Sequence, residues 1–158
     1  MLTAWRIVKT RHAGAAFDGE GARLYGGRWS SAGVRVAYAS QSVALATLEV
    51  LAGLVRVSLL PSYSLISAEF NESELEILPV SSLPAGWRAY PAPSELQRLG
   101  DKWIAENRSL ALQVPSAIIE TEANYLLNPA HASFASVRIS IPAPFSLDAR
   151  LVSAPRKS

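Results

Sequence analysis

Cysteine is absent from the 158-residue chain, and histidine occurs only as His12 and His131. The first absence excludes disulfides and cysteine-based zinc sites. Two histidines are too few for a histidine-built metal centre, so no metal is expected. Charge is scarce: Asp, Glu, Lys and Arg make up 18% of the chain, against roughly 25% in an average soluble protein. Lysine is scarcer still, with Lys9, Lys102 and Lys157 against twelve arginines. No run of basic residues resembles a nucleic-acid-binding arm. No apolar run reaches the ~18 residues of a membrane span. The opening MLTAWRIVKTRHAG breaks its apolar stretch with charge, unlike a secretory signal. The expectation is a cytoplasmic protein that touches neither membrane nor specific DNA.

Apolar residues make up 49% of the chain, enough for one sizeable core. The length suits one domain over residues 1–158. Net charge is +2 and the pI is about 9.2. A poorly charged surface suits either coverage by a partner or a compact, merely apolar domain. Arginine, which supplies most of the positive charge, is the better residue for forked binding of phosphate or carboxylate.

AWRIVK alternates as a first strand, and TRHAGAAFDGEGARLYGGRWSSAG follows as a long glycine-rich connection. A loop longer than ~15 residues is usually functional or disordered, and Phe17, Tyr25 and Trp29 argue against disorder. VRVAYAS then alternates, with Val34, Val36 and Tyr38 on one face. SQSVALATLEVLAG reads as a helix with Ser40 or Ser42 as its N-cap and Gly53 at its end. VRVSLLPSYSLISAEF reads as strand interrupted at Pro61, and a proline-punctuated segment with one short strand follows. SELQRLGDKWIAENRS is a second helix, capped by Ser94, with Leu96, Leu99, Trp103 and Ile104 on one face. LALQVPSAII is a strand meeting Pro115, Asn128-Pro129 is a tight turn, and the chain ends in one or two strands. This order is α+β and lacks regular βαβ alternation.

Several residues stand out as chemistry. Arg28 lies beside Gly26 and Gly27, where backbone can approach a ligand and a guanidinium can fork onto phosphate. The plainer reading is a loop arginine in solvent. Glu49 is the one charge in an apolar helix that is expected to be largely buried. It occupies a narrow exposed stripe or is kept for function. Tyr38 is a core ring with a locally bonded hydroxyl, or a site residue. Ser116 reads alone as a turn serine, and His131 as a structural hydrogen-bonder. Glu120 and Glu122, two apart on an expected strand, face one way as a carboxylate pair or a solvated sheet face. GEGARLYGG lacks the lysine and spacing of a phosphate-binding P-loop or a Rossmann fingerprint.

Taken in order, WRI, GGRW, YAS, a Leu-Glu in the next helix, VPS and NYLLNP resemble the RES-domain toxins of bacterial RES–Xre type II toxin–antitoxin systems. The resemblance covers nearly the whole chain. It implies an ADP-ribosyltransferase-like fold, with twisted, mostly antiparallel sheets flanked by a few helices. It implies NAD as substrate, with cleavage of the nicotinamide–ribose bond. The family's catalytic positions fall on Arg28, Tyr38 and Glu49. The dinucleotide-binding positions fall on Arg6, Gly27, Arg28, Tyr38, Ser40, Ser116 and Asn128. Members often carry Asn where this chain has Ser30, and HPDF where it reads HASF.

The resemblance leaves three acceptors for the ADP-ribose: phosphate, water and a protein side chain. It implies a cognate Xre-type helix-turn-helix antitoxin that covers the active site, and it admits a homodimer within a larger complex. The low charge of LPAGWRAYPAP suits a buried interface with Trp87 and Tyr90 as anchors, or pinning of these aromatics to the protein's own core. A non-catalytic nucleotide-binding module and a purely structural partner are the competing classes.

Overall fold

A computed structural model of the chain describes residues 1–54 and 62–153. The expected strand VRVSLL before Pro61 lies outside the described residues.

Strand β1 (Leu2–Lys9) pairs antiparallel along its whole length with β3 (Tyr63–Phe70), Leu2 opposite Phe70 and Lys9 opposite Tyr63. The alternation in YSLISAEF produces this register, because a one-residue slip would turn its apolar set to the wrong face. On the other side of β1 lies β2 (Ala37–Ser40), and next to it β6 (Ala123–Leu127), both antiparallel. Then come β5 (Ala111–Pro115), antiparallel to β6, and β4 (Leu75–Ile77), parallel to β5. Beyond β3 lie β7 (Arg138–Ile139) and β8 (Ala143–Phe145). The result is one eight-stranded sheet, antiparallel except for the β4–β5 pair.

Successive strand residues point to opposite faces, and both faces are covered. One carries Ala4, Ala37, Ala39, Ile66, Ala68, Ala111 and Leu127. The small side chains on the central strands let Phe17 and Leu110 join this layer. On the other face, helix α3 (Ser94–Glu106) lays Leu96 and Trp103 on Leu112, Val114 and Leu126. Helix α2 (Val43–Ala52) lays Ala46 beside Ile7 and Tyr63.

Local signals explain the helix ends. The Ser42 side chain accepts a hydrogen bond from Leu45 N at 3.0 Å, and Gly53 closes α2. Ser94, expected as the cap of α3, lies inside the helix; Pro93 holds the cap position, and the Ser94 hydroxyl accepts from Arg98. The long connection of residues 10–33 is not all loop. It contains a 3-10 stretch, Thr10–Ala15, and a short helix α1 (Glu20–Tyr25). An Asp18 oxygen accepts from Glu20 N at 2.8 Å, and an ion pair between Glu20 and Arg23 spans the turn.

Two further expectations are corrected. Helix α2 buries only Leu45 and Ala46 and leaves Ala44, Leu48 and Ala52 exposed. It rests on the sheet by one face, with no described layer above it. Glu120 and Glu122 lie in the turn joining β5 to β6, not on a strand, and Glu120 pairs with Arg88 at 2.6 Å. No described helix is long and apolar enough to cross a membrane.

Candidate active site

The glycine-rich loop is held by one face of α3. Gln97 Nε2 donates to the carbonyls of Gly27 and Ser30, at 3.0 and 3.2 Å. Asp101 accepts from Ser31 N at 2.9 Å and from the Ser31 hydroxyl at 2.6 Å. Between them Gly100 lies against the Trp29 backbone, where a Cβ would sit 1.7 Å from the carbonyl oxygen. The spacing of 97, 100 and 101 puts all three on one helix face.

From the other side the loop is held by Tyr38. Its hydroxyl lies 2.7 Å from Ser30 Oγ and accepts from Trp29 N at 3.2 Å. Ser30 therefore completes the Tyr38 contact. A Cβ on Gly27 would meet the Tyr38 oxygen at 2.6 Å, so this glycine permits the close approach. Burial above all pushes the Tyr38 phenol up to about 12, against the smaller downward pull of its bonds to Ser30 and Trp29. Tyr38 is therefore neutral at physiological pH and is no general base.

Loop and sheet enclose a cleft of ≈ 1210 Å³. Arg6, Gly27, Arg28, Tyr38 and Glu49 all line it, brought together from β1, the loop, β2 and α2. Arg6 Nη1 donates to the Tyr38 carbonyl, while its Nε is buried and has no hydrogen-bond partner among the described residues. Burial lowers the Arg6 guanidinium from its ordinary range, opposed by the Asp18 carboxylate. Arg28 Nη1 donates to the carbonyls of Trp87 and Ala89, at 3.0 and 3.1 Å. That guanidinium thus ties the proline-rich segment to the cleft wall. Arg88 holds the same segment from the far side through the carbonyls of Ala117 and Ile118 and the Glu120 carboxylate.

The other expected binding residues lie outside the cleft lining. Ser40 is buried below it and donates to Asn124 Oδ1 at 2.8 Å. Ser116 is fully buried, and its hydroxyl accepts from Ile118 N and Ile119 N, which shapes the turn after β5. Asn128 donates to Asn107 and accepts from Ala130 N in the turn after β6. The structure does not bring Ser116 and Asn128 to the cleft. His131 caps the 3-10 stretch Ala132–Ser136 by accepting from Ser133 N.

Sequence reasoning missed Asn124, which lines the cleft and donates to Glu49 Oε1 at 2.7 Å. It also missed the cleft residues Lys9, His12, Asp18 and Glu20, and the Gln97, Gly100 and Asp101 face. Trp87 packs on the α3 cluster, whereas Tyr90 is 93% exposed at the cleft rim. A second cavity, ≈ 680 Å³ beside β8, is lined by hydroxyl and apolar residues and carries no charge. No group of three or more acidic or histidine side chains is placed to hold a metal among the described residues.

The chain is thus an α+β protein whose mostly antiparallel sheet carries one large cleft, with Arg6, Arg28, Tyr38 and Glu49 gathered on its wall. The RES domain profile matches residues 3–148, so the chain belongs to the RES family. It is similar to the "Toxin Res" of Yersinia enterocolitica, 38% identical over 151 residues that cover 95% of this chain and 99% of that one. The "Toxin Res" of Photorhabdus laumondii is 36% identical, covering 97% and 99% of the two chains. The "Prs ADP-ribosylating toxin" of a Sphingobium strain is 34% identical, covering 94% and 95%. In fold the chain resembles a structure from the M. tuberculosis MbcT–MbcA toxin–antitoxin complex. The TM-score is 0.76 at 17% identity, over 92% of this chain and 84% of that one.

Proposed function

We propose that the chain is the toxin of a toxin–antitoxin pair and acts by cleaving the nicotinamide–ribose bond of NAD. The observation that carries this reading is the gathering of Arg6, Arg28, Tyr38 and Glu49 around one cleft. The buried, unpartnered Nε of Arg6 supports an anionic ligand, because an orphaned buried donor is costly until a partner arrives. The volume, ≈ 1210 Å³, exceeds the ~300–1,000 Å³ typical of small-ligand pockets and suits a dinucleotide.

The cleft residues divide the work. The C1′–nitrogen bond breaks, and its electron pair leaves with nicotinamide, which becomes neutral. Positive charge develops on the ribose, and the Glu49 carboxylate stabilises it, as in oxocarbenium-like glycoside cleavage. The leaving group needs no proton, so one carboxylate suffices. The neutral Tyr38 ring flanks the nicotinamide-ribose while its hydroxyl keeps the loop in place. Arg6 and the free edge of Arg28 face the phosphates. An acceptor oxygen then bonds to C1′ and, if it is water, releases its proton to solvent.

Phosphate or water is the acceptor in this reading. Incubation with NAD, with and without inorganic phosphate, followed by mass analysis of the products, separates the two. A phosphorylated ADP-ribose appears in the first case and free ADP-ribose in the second. The name of the Sphingobium relative, an ADP-ribosylating toxin, supports a second reading, transfer to a protein. Its mark is label from adenine-labelled NAD becoming fixed in protein when lysate is added. An intact NAD pool beside measurable NAD binding would instead leave a nucleotide-binding module.

The enzyme would be held inactive by an Xre-type antitoxin seated over the cleft, the toxin making no base-specific DNA contact. Exposed Leu24, Tyr25 and Tyr90 at the cleft mouth support such a contact.

A further inference from the structure

The antiparallel register sets Ser40 of β2 directly opposite Asn124 of β6. Two residues past Ser40, Ser42 starts α2, which carries Glu49 back over this point of the sheet. The three side chains then form one chain of hydrogen bonds. Ser40 Oγ donates to Asn124 Oδ1 at 2.8 Å, and Asn124 Nδ2 donates to Glu49 Oε1 at 2.7 Å.

The direction of this chain follows from chemistry. An ionised carboxylate only accepts, so the Asn124 nitrogen must face Glu49. The amide oxygen must then face Ser40, whose hydroxyl supplies the proton. Ser40 is 3% exposed, so its hydroxyl is held away from bulk water and kept for that oxygen. A flipped amide would set oxygen against carboxylate and turn the amide NH2, which cannot accept, towards the Ser40 hydroxyl. One Glu49 oxygen is thereby fixed, and the other accepts no hydrogen bond from any described residue. Glu49 lines the cleft, so this second oxygen is the one free for a developing positive charge.

We infer that Asn124 is a positioning residue for Glu49, and that Ser40 acts through Asn124 by locking its amide. This rests on the proposed NAD cleavage. It gives the buried Ser40 a role beneath the site, not a contact with the dinucleotide. Electrostatic stabilisation requires a charge already aimed before the reaction begins. A carboxylate on a rotatable side chain, without a fixed donor, would lose much of that advantage.

The test uses the full chain and NAD, with kcat, KM and thermal unfolding measured for each variant. Asn124→Asp keeps the shape, removes the donor and sets a carboxylate against Glu49. Asn124→Ala removes the contact. Both should lose kcat by about 100-fold, the scale of misplacing a reacting group by ~1 Å, with KM nearly unchanged. Ser40→Ala should lose a smaller part of kcat on its own. It should cost nothing further in an Asn124→Ala background, because its effect passes through the amide. Asn124→Asp and Asn124→Ala chains that fold and keep wild-type kcat overturn the positioning role alone. So does an additive Ser40→Ala effect or a loss confined to KM. A wild-type chain that leaves NAD intact overturns the proposed reaction and this role with it.

Discussion

Gly100 in α3 and Trp29 in the glycine-rich loop are in backbone contact: a Cβ on Gly100 would lie 1.7 Å from the Trp29 carbonyl oxygen. The loop that carries Arg28 thus rests on a helix with no side chain between. A glycine inside a helix ordinarily costs about 0.5–1 kcal/mol relative to alanine. Here the overlap outweighs that gain. Gly100→Ala should destabilise the protein by about 1–3 kcal/mol. It should also lower NAD turnover, because the Arg28–Ser31 backbone must move. Urea unfolding alongside a turnover assay checks both, and a more stable, fully active variant would contradict this packing.

Arg28→Lys should not be conservative. Arg28 Nη1 already serves the carbonyls of Trp87 and Ala89, and the rest of the planar group is left for a ligand. Lysine keeps the charge and loses the fork. NAD affinity measured by calorimetry on the Glu49→Gln background should fall at least ~10-fold, about 1.4 kcal/mol. Unchanged affinity would leave Arg28 as a loop tie only.

Tyr38 should leave an alkaline signature. Its phenol is raised by burial to about 12, against about 10 in an unfolded chain. The folded state holds the proton more tightly. The stability that this contributes is fully present below about pH 10 and is lost as pH rises towards about 12. Wild type should therefore lose more unfolding free energy than Tyr38→Phe between those limits. Equal losses would show that the phenol is not buried as described. No limb of the activity profile between about pH 6 and 9 should belong to Tyr38.

The regulatory partner should depend on the cleft rim. Tyr90 is 93% exposed and lines the cleft mouth. Tyr90→Ala should weaken the hold of a co-expressed antitoxin, seen as a faster return of NAD turnover on dilution of the complex. Full turnover by the undiluted wild-type complex would refute occlusion.

The sequence made much of this legible where a short-range rule applied. Ser42 and Gly53 marked α2, and alternation marked β1 and β2, because caps and periodicity act over a few residues. Family motifs singled out Arg28, Tyr38 and Glu49, and the fold brings all three to one cleft. Asn124 was not legible, because its partners Ser40 and Glu49 are 84 and 75 residues away in sequence. Only the β2–β6 register joins them. Ser116 and Asn128 were drawn to the dinucleotide by motif. In the fold their polar atoms complete turns, the ordinary use of serine and asparagine at strand ends. The low charge of α2 suggested burial, but amphipathic contrast is weak when a helix rests on a sheet by one narrow face.

The measurement closest to the central claim compares nicotinamide release from NAD by wild type and by Glu49→Gln. The substitution keeps the shape of the side chain and removes the charge. Wild type should consume NAD. Glu49→Gln should match it in circular dichroism and thermal midpoint while losing at least ~100-fold in turnover, roughly 3 kcal/mol of barrier. A well-folded Glu49→Gln protein with near wild-type turnover, or a wild-type protein that leaves NAD intact, would contradict the account.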